Sequence, residues 1–197
     1  MSRIKWFVPK SCLKTLYFAL VNSHLNYGLL LWGHKYAIIE SYQKRAIRVL
    51  TKSHFLARTD PIFKKEKILK IKDMYNLNCL SLFHRLKNDF VPAPISNLFN
   101  LTNANSHRYP TSARIRQSRN VMPVTYARTV SAENSLRYSL PRIVNNSPTF
   151  ITDKCFTHSY EGFKNYIKNY FISLYDDSPC ANRDCYSCLL ISHSTPH

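Results

Sequence analysis

The chain has 197 residues, 45% of them hydrophobic and 13% aromatic, which is ample for a buried core and excludes wholesale disorder. Its three glycines, Gly28, Gly33 and Gly162, are too few for a β-rich fold or a phosphate-cradling loop, both of which need positive φ or close backbone approach. The net charge of +17 is lopsided: residues 1–150 carry 24 basic and 6 acidic side chains, a net of +18, whereas residues 151–197 carry 4 and 5, a net of −1. A solubilising surface needs a smaller and more mixed charge than this. A phosphate polymer is the partner that such a distribution fits best.

The first helix is expected over residues 9–27. Leu13, Leu16, Tyr17, Leu20, Val21, His24 and Leu25 follow helical spacing. Pro9 and Ser11 suit a first turn, and Gly28 is placed to end the helix. Cys12 falls in line with Leu16 and Leu20 and reads as a core thiol, and His24 as a satisfied core histidine. Residues 16–32 are the most apolar stretch, but Asn22, His24 and Asn26 within it argue for a core helix and not a membrane span. At the N-terminus Pro9 and Lys10 interrupt any signal-peptide core, so a nuclear or cytoplasmic protein, not a secreted one, is expected.

A second helix is expected over residues 38–52, with Ile39, Tyr42, Ala46, Val49 and Leu50 inward. Lys44, Arg45, Arg48 and Lys52 fall on another face as a cationic stripe that suits phosphate contacts; a solvated helix face is the plainer alternative. Asp60-Pro61 opens a short helix over residues 62–69. A longer one follows, with Ile71, Tyr75, Cys79, Leu82 and Leu86 inward, closing near Val91-Pro92.

The texture then changes. Residues 92–152 are rich in Asn, Ser, Thr and Pro and read as an irregular segment. Every basic residue between Pro92 and Phe150 is an arginine: Arg108, Arg114, Arg116, Arg119, Arg128, Arg137 and Arg142. Arginine offers bidentate phosphate contacts that lysine cannot, and Tyr109 and Tyr126 among these arginines are candidates for stacking on unpaired bases. Residues 114–126 fit a short β-hairpin around Arg119-Asn120. A last helix is expected over residues 153–175, with Phe156, Tyr160, Phe163, Ile167, Tyr170, Phe171 and Leu174 on one side and Cys155 beside them in the core.

The tail, residues 176–197, holds Cys180, Cys185, Cys188 and His193 in the spacing Cys-x4-Cys-x2-Cys-x4-His. A central Cys-x2-Cys aims two thiolates at one ion, and Cys180 and His193 would complete a zinc tetrahedron. Four unliganded tail residues are the alternative. No nucleotide or redox cofactor is expected. Nor is a catalytic centre: two-metal chemistry needs converging carboxylates, whereas Tyr175-Asp176-Asp177 ends a helix and reads as solvated acid at a helix terminus.

Two patches together carry a resemblance. The first runs Leu13-Lys-Thr-Leu-Tyr17 through His24-Leu-Asn-Tyr27-Gly28 to Trp32-Gly33; the second is Gln43-Lys44-Arg45-Ala46-Ile47-Arg48. In this order they resemble the region after the palm of non-LTR (LINE-type, jockey- and CR1-like) retrotransposon reverse transcriptases. Looser matches lie at Asp60-Pro61-Ile62-Phe63, Arg108-Tyr109 and Ser135 through Asn145, with Val144 where such elements often carry Trp. The resemblance implies a thumb-side piece of an RNA-directed DNA polymerase that contacts template, primer or element RNA, its catalytic palm lying elsewhere.

The expected architecture is therefore mainly α. A helical thumb-like lobe covers residues 1–91, an Arg-rich irregular segment 92–152, a C-terminal helix 153–175 and a Cys/His tail 176–197. The expected partner is RNA or DNA and not a membrane. A freestanding nucleic-acid-binding module and a protein-interaction domain facing an acidic partner remain the competing readings.

Overall fold

The computed structural model describes residues 6–99, 122 and 128–175. Among these the chain is helix and turn without a β-strand, so the protein is mainly α. The elements in order are α1 (Lys10–Leu16), a wider-turned stretch (Tyr17–Asn22), α2 (Ser23–Asn26), α3 (Leu29–Trp32), a 3-10 turn (Gly33–Lys35), α4 (Tyr36–Leu50), α5 (Asp60–Glu66), α6 (Ile71–Lys87), α7 (Ala93–Ser96), α8 (Val130–Glu133), α9 (Leu136–Asn146), α10 (Thr149–Thr157) and α11 (Tyr160–Ser173). The chain divides into two compact units, residues 1–74 with 168–197 and residues 75–167. The hairpin expected over 114–126 lies outside the described residues.

In the first unit α1 and α2 form one unbroken helical run, but its inward face is narrower than the sequence suggests. Leu13, Tyr17 and Leu25 are buried, whereas Leu20 and His24 are exposed. Hydrogen bonding widens to i→i+5 across Tyr17–Asn22, so each turn there holds more residues. Inward positions then recur every fourth residue, and the i+3 positions rotate toward solvent. This overturns the core assignment of His24, and Cys12, one residue before the buried Leu13, is exposed as well. Gly28 ends the run at φ 59, a left-handed conformation that suits glycine; a Cβ there would meet only the Trp32 ring at ordinary contact distance. Trp32 Nε1 donates to the Tyr27 carbonyl at 2.7 Å and fixes the turn.

Helix α4 also turns a different face inward. Its buried positions are Gln43, Ile47 and Leu50, while Tyr42, expected in the core, is 63% exposed and Ile38 68%. A polar side chain at the centre of the buried line is sustained by complete hydrogen bonding. Gln43 Nε2 donates to the Leu69 carbonyl at 2.9 Å and lies 3.3 Å from Tyr17 Oη, and its Oε1 accepts from Ile71 N at 2.8 Å. Gln43 thereby satisfies an orphan N–H at the start of α6 and a carbonyl in the turn before it, tying three stretches of chain together. Leu13, Tyr17, Leu29, Ile47, Leu50, Phe63 and Ile71, all at most 1% exposed, form the apolar core of this unit. Each such side chain is worth about 1.5–3 kcal/mol of burial.

Scarce glycine leaves its mark on the helix ends. Lys52, Lys67 and Asp89 all take positive φ, between 54° and 57°, just past α4, α5 and α6. The following N–H groups reach back, Ser53 to Arg48 O at 3.0 Å, Ile68 to Phe63 O at 3.0 Å and Phe90 to Arg85 O at 2.9 Å, the six-to-one closure that caps a helix.

The second unit contains most of α6, whose Cys79, Leu80, Phe83 and Leu86 are buried, together with Leu140, Val144, Ile151, Phe163 and Ile167. Cys79 and Cys155 are core thiols, as expected. Helices α7, α8 and α9, and the first residues of α10, run through sequence read as irregular. Pro141, which lacks a backbone N–H, sits buried inside α9 and disguised it. Asn145 supports this unit by donating from Nδ2 to the Met122 carbonyl at 2.8 Å and accepting from Met122 N at 3.0 Å. The expected last helix is two, α10 and α11, parted at His158-Ser159; Ser159 Oγ accepts from Gly162 N and caps α11. Leu174, expected inward, is 61% exposed.

Candidate nucleic-acid interface

The cationic stripe of α4 is present, but its four members do different work. Lys44 lies 2.7 Å from Glu40, one turn earlier, so part of its charge is already spent. Arg48 is half-buried and donates from Nε to the Ala57 carbonyl at 2.9 Å, holding the loop between α4 and α5. Burial, with the neighbouring charge of Arg45 added, pulls its guanidinium pKa below the ordinary value. Arg48 is an anchor of the fold first. Arg45 is exposed, its guanidinium 6.0 Å from the ring of exposed Tyr42. Lys52 occupies the left-handed cap position seven residues on.

The acids among the described residues of the first unit are engaged within it. Buried Glu66 receives Lys10 at 2.5 Å and Lys14 at 3.5 Å. Burial alone would raise its pKa, but the hydrogen bond and charge of Lys10, with those of Lys14, hold the carboxyl below its ordinary value. Asp60 pairs with Lys70 at 3.0 Å, Glu40 with Lys44, and Asp73 accepts from Tyr175 Oη at 2.7 Å. The described residues of this unit hold 14 basic against 4 acidic side chains, and all four acids are engaged. Exposed Lys35, Arg45, Lys65, Lys67 and Lys72 carry the surplus.

Tyr42 is the residue that sequence reasoning missed. Ile38, Tyr42 and Arg45 recur at i, i+4 and i+7 on the side opposite Gln43 and Ile47, so the signal existed once the inward face was chosen correctly. In the second unit Arg85 lies 4.4 Å over the Tyr160 ring and Lys154 4.6 Å over that of Tyr166. Residues 75 positions apart meet in the first of these pairs, and no local pattern announces it.

Of the middle-segment arginines Arg128 and Arg137 are described and exposed, and Arg142 pairs with Glu133 at 3.1 Å. Arg108, Arg114, Arg116, Arg119, Tyr109 and Tyr126 lie outside the described residues, as do Cys180, Cys185, Cys188 and His193. Among the described residues no group of three His, Cys, Asp or Glu side chains is placed to hold a metal ion. No described helix is long and apolar enough to cross a membrane. Comparison with protein-family models, curated proteins and solved structures finds no match to this chain.

Proposed function

We propose that the chain is a nucleic-acid-binding module without catalysis of its own, of the kind its sequence resembles on the thumb side of a LINE-type reverse transcriptase. The observation that carries this reading is the surplus of cations in the first unit. Among its described residues three carboxylates are ion-paired with lysines and Asp73 accepts from Tyr175, which leaves exposed Lys35, Arg45, Lys65, Lys67 and Lys72 in excess. Phosphate contacts release condensed counterions, and the affinity they supply falls with salt.

The test is binding of the full chain to a labelled single-stranded oligonucleotide across a salt series. Arg45→Glu with Lys52→Glu removes exposed Arg45 and half-buried Lys52, just past the end of α4, without touching the Arg48 anchor. Affinity should fall at least tenfold, and the slope of log affinity against log salt should shrink by about 1.4 for two lost single-strand contacts. Wild-type protein that binds no oligonucleotide in dilute buffer, or a variant with an unchanged slope, overturns the proposal.

A further inference from the structure

A cavity of about 410 Å³ opens between the start of α6 and the end of α11, within the first unit. Its walls are of three chemical kinds. Tyr36 and Phe171 contribute aromatic rings, Glu40 and Asp73 carboxylates, and Lys72 an exposed ammonium 5.9 Å from the Tyr36 ring centroid. The volume is in the range of small-molecule pockets, and the wall combines flat apolar surface with a few fixed polar atoms.

The polar atoms are held in place. Tyr175 Oη donates to Asp73 Oδ2 at 2.7 Å and accepts from Lys70 N at 2.9 Å, so both phenol functions are used and the ring is a rigid wall. The Lys70 ammonium lies 4.6 Å over that ring and is tethered to Asp60. Asp73 keeps its second oxygen, Oδ1, without a hydrogen-bond partner among the described residues, and Glu40 engages Lys44 through Oε1 alone. The cavity thus presents unspent acceptors, stacking faces and one cation at its rim.

We propose that this cavity takes a single unpaired nucleobase that bears an exocyclic amino group, with the adjoining phosphate against Lys72. Carboxylate oxygens accept from the amino groups of cytosine, adenine or guanine and repel the carbonyl edge of thymine or uracil, while Tyr36 and Phe171 offer ring faces for stacking. The inference rests on the nucleic-acid reading above and adds base selectivity to it.

The experiment compares the full chain's affinity for labelled dC10 and dT10 at one low salt concentration. The two polymers share backbone and pyrimidine ring and differ at C4, amino against carbonyl, at N3, acceptor against donor, and in the C5 methyl of thymine. Binding of dC10 should be at least about tenfold tighter, the lower end of what one charged hydrogen bond supplies. Asp73→Asn should abolish that advantage while keeping an acceptor for Tyr175, Tyr36→Leu should weaken both polymers, and Arg45→Glu should weaken both equally and leave the ratio intact. Equal binding of the two polymers by wild-type protein overturns the pocket and leaves the binding function standing; so does a preference that survives Asp73→Asn. Failure of both polymers to bind overturns the function and the pocket together.

Discussion

Replacing Gln43 by methionine should cost the protein about 2–6 kcal/mol. The two side chains are close in volume, so the exchange leaves packing nearly constant and removes hydrogen bonding alone. Gln43 is completely buried, and its amide is the partner of Ile71 N at 2.8 Å and of the Leu69 carbonyl at 2.9 Å. Without it both backbone groups stay buried and unpaired, at about 1–3 kcal/mol each. The loss is a large share of the roughly 5–15 kcal/mol that holds an ordinary domain folded. Urea titration followed by helix circular dichroism, with exposed Tyr42→Met on the same helix as control, gives the number. The control should stay within about 0.5 kcal/mol. A Gln43→Met penalty below about 1 kcal/mol would show that water or a shifted backbone replaces the amide, and the account of how α4 fixes the start of α6 would fall.

Other outcomes follow from the same geometry. Glu66 has a folded pKa below its reference of 4.5, so it contributes stability that is complete above that pH and disappears as pH falls through the folded value. Glu66→Gln should therefore lower the urea midpoint at pH 7 and by less as pH falls below 4.5; a gap that does not shrink on acidification would disprove the ion-pair assignment. Burial pushes the thiol of Cys79 up to about 12 and that of Cys155 up to about 11, whereas Cys12 is exposed. Iodoacetamide at pH 8 should modify Cys12 in native protein and reach Cys79 and Cys155 only in urea, as read peptide by peptide in a mass spectrometer. For the tail we propose a zinc site at Cys180, Cys185, Cys188 and His193: protein purified with zinc should hold one equivalent by metal analysis and lose it in Cys185→Ser, and a metal-free wild-type chain would end the idea.

The helices up to α6 were legible in type and order because they carry apolar spacing and punctuation, Pro9 and Gly28 around the first and Asp60-Pro61 at the short one. Facing was less legible. Periodicity identifies a stripe but assumes a uniform turn, and the widened turn at Tyr17–Asn22 sent Leu20 and His24 outward. In α4 the pattern admitted two neighbouring faces, and a core built around a glutamine is invisible to a reading that counts only apolar residues. Pro141 hid α9 because a proline usually argues against a helix interior. At the candidate interface, the charge and its uneven distribution were readable directly. That Arg48 serves the Ala57 carbonyl was not, since its partner is a backbone atom that no side-chain pattern marks.

The lysines at positions 52 and 67 hold a conformation that costs an L-residue roughly 1 kcal/mol or more and costs glycine no Cβ penalty. Exchanging either for glycine would relieve that strain and delete a positive charge in one step. These two sites consequently form a hinge between robustness and electrostatics: a chain tuned for heat resistance at them would shed part of the positive charge on which the proposed polyanion binding rests.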